Sequence, residues 1–233
     1  SKTKEYMNFF YKEYLKYKFQ IIEIHNRPEY LNFLINKKID SKFIFFFHNN
    51  PLDIRGSRTV KERLNILEKT HKVFFVSSWT KKKFFEGLPI KNKSNCDIIY
   101  PSIKKVKIFN KNKKKQIIFT GKLNSSKGYD LFGEAIIKIL NKYPDWNAIV
   151  AGNEPRERYN FKHKNLKIYP WLPHKKILDL YKRSSISIVP SRWEEPFGRT
   201  AMESAAYGCA TITSQKGGLL ETFDNDLFLN KLN

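Results

Sequence analysis

Residues 190–221 read PSRWEEPFGRTAMESAAYGCATITSQKGGLLE, and this stretch decides the fold predicted for the chain. The apolar run at residues 185–189 predicts a strand, and a loop follows it. A helix is predicted from Arg199 to Gly208, because glycine commonly ends a helix. A second apolar run, residues 209–213, leads into a pair of glycines. The order strand, loop, helix, strand is typical of an α/β protein with a parallel sheet.

Two glutamates of this stretch are placed to border one crevice. Glu195 precedes the predicted helix, and Glu203 lies about one turn inside it. Open α/β sheets bind ligands at the carboxyl ends of their strands, where this loop lies. Backbone N–H groups near Gly198 and Arg199 would face a phosphate, and carboxylates accept hydrogen bonds from sugar hydroxyls. The stretch therefore predicts a site for a hydroxyl-rich anionic ligand.

The spacing of these residues resembles the retaining glycosyltransferases of family four, often called glycosyl transferases group 1. Their mark is E-P-F-G-x-x-x-x-E-A-x-A-x-G, followed by a G-G-x-x-E loop. The matching residues here are Glu195, Pro196, Phe197, Gly198, Glu203, Gly208, Gly217, Gly218 and Glu221. Ser204 replaces the usual alanine after the second glutamate. The resemblance implies a GT-B type α/β fold, with two Rossmann-like doubly wound domains facing a cleft.

The resemblance also implies a division of the chain into two incomplete domains. Residues 1–105 would form part of an N-terminal, acceptor-side domain that lacks its first half. Residues 106–233 would form the C-terminal, nucleotide-sugar-binding domain, truncated at its end. The lysine-rich segment at residues 104–115 is predicted to be a solvated linker, because like charges repel and extend a chain.

Composition indicates a packed protein with a strong positive charge. The chain has 233 residues, 41% of them apolar, with 19 Phe and 12 Tyr, which argues against disorder. A formal net charge of +22 fits nucleic acid, an anionic membrane surface or an anionic substrate, although much of the lysine would be solvated surface. Cys96 and Cys209 form neither a metal-binding spacing nor a disulfide framework, which fits a reducing cytosol. No run reaches the roughly 18 apolar residues of a membrane span.

Two apolar runs in the N-terminal half each end in a histidine, His25 and His48. Since the carboxyl ends of parallel strands meet at one edge of a sheet, both side chains are predicted to face one crevice. The resemblance places His48 beside the donor sugar and its phosphate, and His25 in a neighbouring loop. Arg55 and Arg58 follow in a loop that would reach the acceptor or the phosphates.

Two helices are predicted in this half from their apolar spacing. The first covers residues 4–17, and its predicted buried stripe is Met7, Phe10, Tyr11, Tyr14 and Leu15. The second covers residues 59–70, and its predicted buried face is Val60, the stem of Arg63, Leu64 and Leu67. Ser77 is predicted to cap a further helix.

The C-terminal half contains a strand, a glycine turn and a helix around Gly121, an arrangement that binds anions. Lys122 and Lys127 follow that glycine and would grip a diphosphate as point charges. The segment resembles the family motif G-R-L-x-x-x-K-G, with Lys122 in place of arginine, so the bidentate fork of arginine is lost. Gly152 matches a glycine near the nucleotide, and His174 is predicted only to begin a helix.

The implied reaction moves a sugar from a nucleoside diphosphate sugar to an acceptor hydroxyl, with retention of the anomeric configuration. His48 and Glu195 would be catalytic, and Glu203 would bind the ribose hydroxyls. The donor-binding residues would be Gly121, Lys122, Lys127, Gly152, Phe197, Gly198, Arg199, Thr200 and Glu203. The leaving phosphate would take the acceptor proton, so neither a protein base, a metal nor a cofactor is required. The donor is a nucleotide sugar, used as a substrate.

The predicted partners are that donor and a saccharide or lipid-linked acceptor, with peripheral membrane contact and no nucleic acid. The predicted setting is the cytoplasm, at the inner face of the membrane, in cell-envelope polysaccharide or lipopolysaccharide synthesis. Three alternatives stay open: a glycosidase that uses the carboxylates of Glu195 and Glu203, a nucleic-acid-binding protein driven by charge, and an inactive truncated homologue that binds nucleotide sugars or acts as a scaffold.

Overall fold

A computed structural model describes residues 2–104, 106, 113–222 and 228–229 of the chain. Its internal contacts divide the chain into two compact units, Ser1–Tyr100 and Pro101–Asn233. Each unit has a parallel sheet of its own. The linker predicted at residues 104–115 lies mostly outside the described residues. Lys114 and Lys115, however, are the first residues of a strand, so the linker prediction is wrong for these two.

Unit 1 alternates helices with four parallel strands. The helices are α1 (Lys2–Tyr17), α2 (Pro28–Asn36), α3 (Val60–Lys69) and α4 (Ser78–Phe85), and the strands are β1 (Ile21–His25), β2 (Lys42–Phe47), β3 (Lys72–Phe75) and β4 (Cys96–Ile98). The strand order in the sheet is β1-β2-β3-β4. Because this order follows the chain, right-handed crossovers place α2, α3 and α4 on the same face of the sheet.

The buried faces of two helices in unit 1 differ in part from the prediction. On α1, Met7 and Tyr14 are buried, but Leu15 is 48% exposed, so its predicted place in the stripe is wrong. On α3, Val60 and Leu64 are exposed, while Arg63 is buried together with Ile66 and Leu67.

The hydrogen bonds of Arg63 explain why α3 turns a different face inward from the one predicted. Its Nη1 donates to Arg58 O at 2.7 Å, and its Nη2 donates to Glu86 O at 2.6 Å. A buried guanidinium requires such partners, so Arg63 rather than Leu64 faces inward. Thr59 caps the same helix through a capping box with Glu62. The predicted cap at Ser77 is confirmed, because its side chain accepts a hydrogen bond from Thr80 N.

Unit 2 is a doubly wound sheet with helices on both faces. Its strands are β5 (Lys114–Thr120), β6 (Asn147–Ala151), β7 (Leu166–Tyr169), β8 (Ser184–Val189), β9 (Ala210–Ser214) and β10 (Phe228–Leu229), and its helices are α5 (Tyr129–Lys142), α6 (His174–Arg183) and α7 (Arg199–Ala206). The strand order is β10-β9-β8-β5-β6-β7, and every pair is parallel. Chain order therefore reverses between β5 and β8, the position where such sheets bind ligands.

The central strand β5 separates two apolar clusters in unit 2. Ile117 and Phe119 pack with α5, and Ile118 packs with Tyr181 of α6 and with Cys209. Successive side chains of a strand point to opposite faces, so one strand supports both layers. Cys209 is buried as a free thiol. In the part of the chain that the structure describes, no helix is both long and apolar enough to cross a membrane.

Candidate functional site

A pocket of about 210 Å³ opens at the carboxyl edge of the sheet in unit 2. It is lined by the residues that follow β5 and β6, by the loop after β7, and by the first turns of α6 and α7. Among them are Gly121, Gly152, Trp171, His174, Thr200 and Glu203. The structure thus brings four residues predicted to bind the donor to one pocket, namely Gly121, Gly152, Thr200 and Glu203.

The floor of the pocket depends on two glycines that touch each other. A Cβ atom on Gly152 would lie 1.8 Å from Gly121 O. Gly121 itself has a φ of +144°, a conformation that side-chain-bearing residues rarely adopt. The loops after β5 and β6 can approach this closely because Gly152 has no side chain, whereas Gly121 is required by its backbone conformation rather than by lack of space.

Glu203 is the buried charge of the pocket. Its side chain is 7% exposed, and its Oε1 lies 3.2 Å from Arg199 Nη2 and 3.1 Å from His174 Nε2. Arg199 is four residues earlier on α7, and His174 begins α6. A carboxylate taken out of water needs such partners, and these two supply them.

Lys127 and Glu195 form an ion pair in the same unit. Lys127 Nζ lies 2.5 Å from Glu195 Oε1, and Ser191 Oγ donates to the same oxygen at 2.9 Å. The ammonium also lies 4.6 Å from the centre of the Trp193 ring. Lys122 is exposed on the turn that precedes Lys127. The two lysines predicted to bind a diphosphate therefore differ, because Lys127 is paired with a carboxylate whereas Lys122 is exposed.

The loop carrying Glu195 is joined to the glycine pair that the motif predicted. Gly218 N donates to Glu195 O at 2.6 Å, and a Cβ on Gly217 would lie 2.3 Å from the same oxygen. Phe197 is buried, and Gly198 precedes α7 with a φ of +121°. Among the residues that the structure describes, no side chain caps α7 by a hydrogen bond, which suits the anion predicted at its N-terminus.

In unit 1, His25 and His48 meet at the carboxyl edge of the sheet. His25 Nδ1 lies 2.7 Å from His48 Nε2, and both rings stack on Phe46. Asn26 Oδ1 accepts a hydrogen bond from His48 N at 2.8 Å. Burial, and then the charge of His25, hold the pKa of His48 below its usual value. The predicted proximity of the two histidines is therefore present.

The basic loop of unit 1 lies beside a separate depression. Arg55 and Arg58 line a surface pocket of about 520 Å³ together with Asn26. Arg58 Nη2 donates to Asp53 O at 3.0 Å, so its guanidinium is partly used to hold its own loop. Within residues 2–104, 106 and 113–222, no group of three or more His, Cys, Asp or Glu side chains is arranged to hold a metal ion.

Trp171 and His174 also line the pocket in unit 2, although neither was among the site residues predicted from the sequence. His174 was predicted only to begin a helix, yet it contacts Glu203. The positional rule that selected Gly121 and Gly152 would have found both, because they follow β7 at the same edge of the sheet.

Two curated relatives are similar to large parts of this chain. "Putative glycosyltransferase YtcC" of Bacillus subtilis (strain 168) is 25% identical over 86% of this chain and 56% of its own length. "Lipopolysaccharide core biosynthesis mannosyltransferase LpsB" of Rhizobium meliloti (strain 1021) is 32% identical over 43% of this chain and 31% of its own length. The chain thus spans about half or less of the length of these relatives.

Two solved structures are similar to both units of the chain. A glycosyltransferase from Rickettsia africae ESF-5 covers 97% of this chain and 66% of its own, with a TM-score of 0.76 and 22% identity. Anabaena Alr3699/HepE, in complex with UDP and glucose, covers 88% and 62%, with a TM-score of 0.66 and 15% identity. At these identities the likeness shows the fold, which is α/β of the GT-B type.

The family described as Glycosyl transferases group 1 matches residues 102–231, which is more than half of the chain. The match includes the whole pocket of unit 2, from Gly121 to Glu203. On this match, the chain belongs to the glycosyl transferases group 1 family.

Proposed function

We propose that this protein transfers a sugar from a nucleoside diphosphate sugar to an acceptor hydroxyl, with retention of the anomeric configuration. The observation that carries the proposal is the buried carboxylate of Glu203 in a pocket floored by Gly121 and Gly152. The carboxylate can accept hydrogen bonds from the hydroxyl groups of a ribose. The accessible backbone at the two glycines lies where the chain order of the sheet reverses, and such positions bind nucleotides with their diphosphates.

Different residues of unit 2 are placed to contact the ribose, the base and the diphosphate of a nucleotide. Glu203 accepts hydrogen bonds from the ribose, and the ring of Trp171, which is 69% exposed, offers a flat face to the base. Lys127, Lys122 and the uncapped N-terminus of α7 neutralise the diphosphate. These cations take the role that a metal ion has in other phosphate sites, so the proposed chemistry uses no cofactor.

Donor binding would rearrange the ion pair between Lys127 and Glu195. The diphosphate attracts Lys127 away from the carboxylate, and Glu195 then becomes available to sugar hydroxyls. In the transfer, the bond from the anomeric carbon to the phosphate oxygen breaks and a bond to the acceptor oxygen forms on the same face. The acceptor proton passes to the leaving phosphate, and His48 steers the sugar.

The relatives suggest which substrates to examine first. UDP and glucose occupy the structure of HepE, and LpsB is a mannosyltransferase of lipopolysaccharide core biosynthesis. We therefore propose a hexose donor and a saccharide or lipid-linked acceptor of the cell envelope, handled in the cytoplasm. The net charge of +22 favours anionic donors and peripheral contact with the inner face of an anionic membrane.

A thermal-shift panel with UDP, GDP, ADP and CDP, at low and moderate salt, tests the proposal. Stabilisation by one nucleotide that persists at moderate salt supports the site and names the base of the donor. Sugar release and transfer are then assayed with the matching nucleotide sugars. Binding without transfer would favour an inactive nucleotide-sugar-binding homologue, and no binding to any nucleotide would contradict the proposal.

A further inference from the structure

The two basic side chains that contact Glu203 both lie against the same oxygen. Arg199 and His174 approach Oε1, whereas Oε2 has no partner among the residues that the structure describes. An otherwise buried carboxylate therefore has one oxygen occupied and one available in the pocket. This asymmetry fixes which oxygen a ligand hydroxyl meets.

These two side chains, Arg199 and His174, differ in the elements that they join to Glu203. Arg199 is on α7 itself, one turn before Glu203, and its long side chain is 66% exposed. His174 belongs to α6 and follows the loop that carries Trp171. Among the contacts of Glu203 that the described residues make, the one from His174, whose side chain is 59% exposed, joins the carboxylate of α7 to another helix.

We infer that His174 is a positioning residue, which holds Glu203 so that its Oε2 meets a hydroxyl of the donor ribose. This inference rests on the proposed function. His174 Nε2 lies 3.1 Å from Glu203 Oε1, so a ring that carries a proton on Nε2 can turn to donate a hydrogen bond to this oxygen, and a protonated ring also attracts the carboxylate by its charge. Because this contact already restricts the side chain of Glu203, less of its conformational freedom is lost when the ligand binds.

The inference makes the recognition of ribose depend on His174. A site built to bind a hydroxyl group rejects an analogue that lacks it, provided its polar group is already in place. Without His174, the carboxylate can turn with Arg199 towards solvent. Affinity for the ribonucleotide should then fall, while affinity for the deoxynucleotide, which makes no such bond, should change little.

Two variants of matched length separate the hydrogen bond from the shape of the side chain. His174→Gln keeps an N–H donor, and His174→Met fills similar space without one. His71→Ala, which removes an exposed histidine of unit 1, serves as the control. Titration calorimetry would measure the dissociation constants of UDP, GDP, ADP and CDP and of their 2′-deoxy and 3′-deoxy forms, using the full chain.

The expected result is a change in discrimination between ribose and deoxyribose. For His174→Met, the ratio of the deoxy to the ribo dissociation constant should fall about tenfold, which corresponds to about 1.4 kcal/mol. His174→Gln and His71→Ala should keep most of the wild-type ratio. Melting curves of all variants would show whether the folded state is retained.

Failure of the inference and failure of the proposed function look different in this experiment. If wild type binds none of the nucleoside diphosphates, the proposed function is wrong. If wild type binds and discriminates, but folded His174→Met discriminates equally well, His174 does not position Glu203 and the proposed function stands. A loss of discrimination in His174→Gln equal to that in His174→Met would also overturn the role of the N–H donor.

Discussion

Lys127 Nζ and Glu195 Oε1 lie 2.5 Å apart, so the lysine proposed to contact a diphosphate is already paired with a carboxylate. Replacement of Glu195 by Gln should remove this competition. Affinity for UDP, or for the nucleotide selected by the panel, should rise about fivefold, on the order of 1 kcal/mol for a partly exposed pair. Sugar transfer should fall, because Glu195 is proposed to contact the sugar.

Calorimetry measures the change in nucleotide affinity, and a transfer assay measures the change in sugar transfer. Glu194→Gln, one residue away and more exposed, is the control.

Replacement of Lys127 by Ala should weaken nucleoside diphosphates selectively. The ammonium is proposed to contact phosphate, so UDP should bind about tenfold less tightly while uridine is unaffected. Competition binding with both ligands provides the measurement, and Lys138→Ala on the exposed side of α5 is the control. An equal loss for uridine and UDP would contradict a phosphate contact.

Replacement of Gly152 by Ala should damage both stability and the pocket. The new Cβ would lie 1.8 Å from the backbone oxygen of Gly121, which cannot move aside as a side chain would. We expect a loss of about 1–3 kcal/mol in the free energy of unfolding, measured with urea. Gly87→Ala is the control, because its Cβ would meet its nearest atom at 4.0 Å and only its φ of +74° is strained. Gly87→Ala thus measures the cost of backbone strain without a clash, and a Gly152→Ala protein as stable as wild type would contradict the close contact.

Glu154 should contribute to the dependence of stability on pH. A hydrogen bond from the Arg156 side chain is the main cause that lowers the pKa of Glu154 from 4.5 to about 2. Because the pKa is lower in the folded chain, the ionised carboxylate stabilises the fold above pH 4.5 and this contribution is lost as the pH falls towards 2. Glu154→Gln should therefore show a shallower fall of the urea midpoint in this range than wild type. Glu134→Gln, an exposed residue of α5, should follow wild type.

His48 should titrate below the usual pKa of 6.5, since burial and then the charge of His25 both lower its pKa. His25→Asn removes only the second cause, so the pKa of His48 should rise part of the way. Histidine ring signals in a pH series of NMR spectra measure both values. If His25→Asn leaves the titration of His48 unchanged while His71→Asn does the same, the two rings are not coupled in solution.

The alternation of strands and helices in unit 2 was predicted well, because strong local signals mark the ends of these elements. Strand β8, the start of α7 at Arg199 and the strand β9 after Gly208 all lie within two residues of the prediction. Each boundary is marked by proline, glycine or a change in apolar period, which are local signals. The association of His25 with His48 was also accessible, because parallel strands align their carboxyl ends.

Other features depend on contacts that no local pattern specifies. The inward face of α3 is set by carbonyl groups of Arg58 and Glu86 that accept hydrogen bonds from Arg63, so the apolar spacing of Val60 and Leu64 was misleading. The contact between His174 and Glu203 joins two helices that are distant in sequence. Helix α2 was not predicted, although Pro28 at its first turn is a start signal.

The apolar cores of the two units share no residue among those that the structure describes, with Phe45 and Phe75 in unit 1 and Ile118 and Phe119 in unit 2. Calorimetric scans of such a chain need not show a single two-state transition, and one melting temperature then has no clear thermodynamic meaning. A nucleotide bound in unit 2 would raise the transition of that unit directly. A dye that reports the average of both transitions would therefore understate the affinity of a true donor.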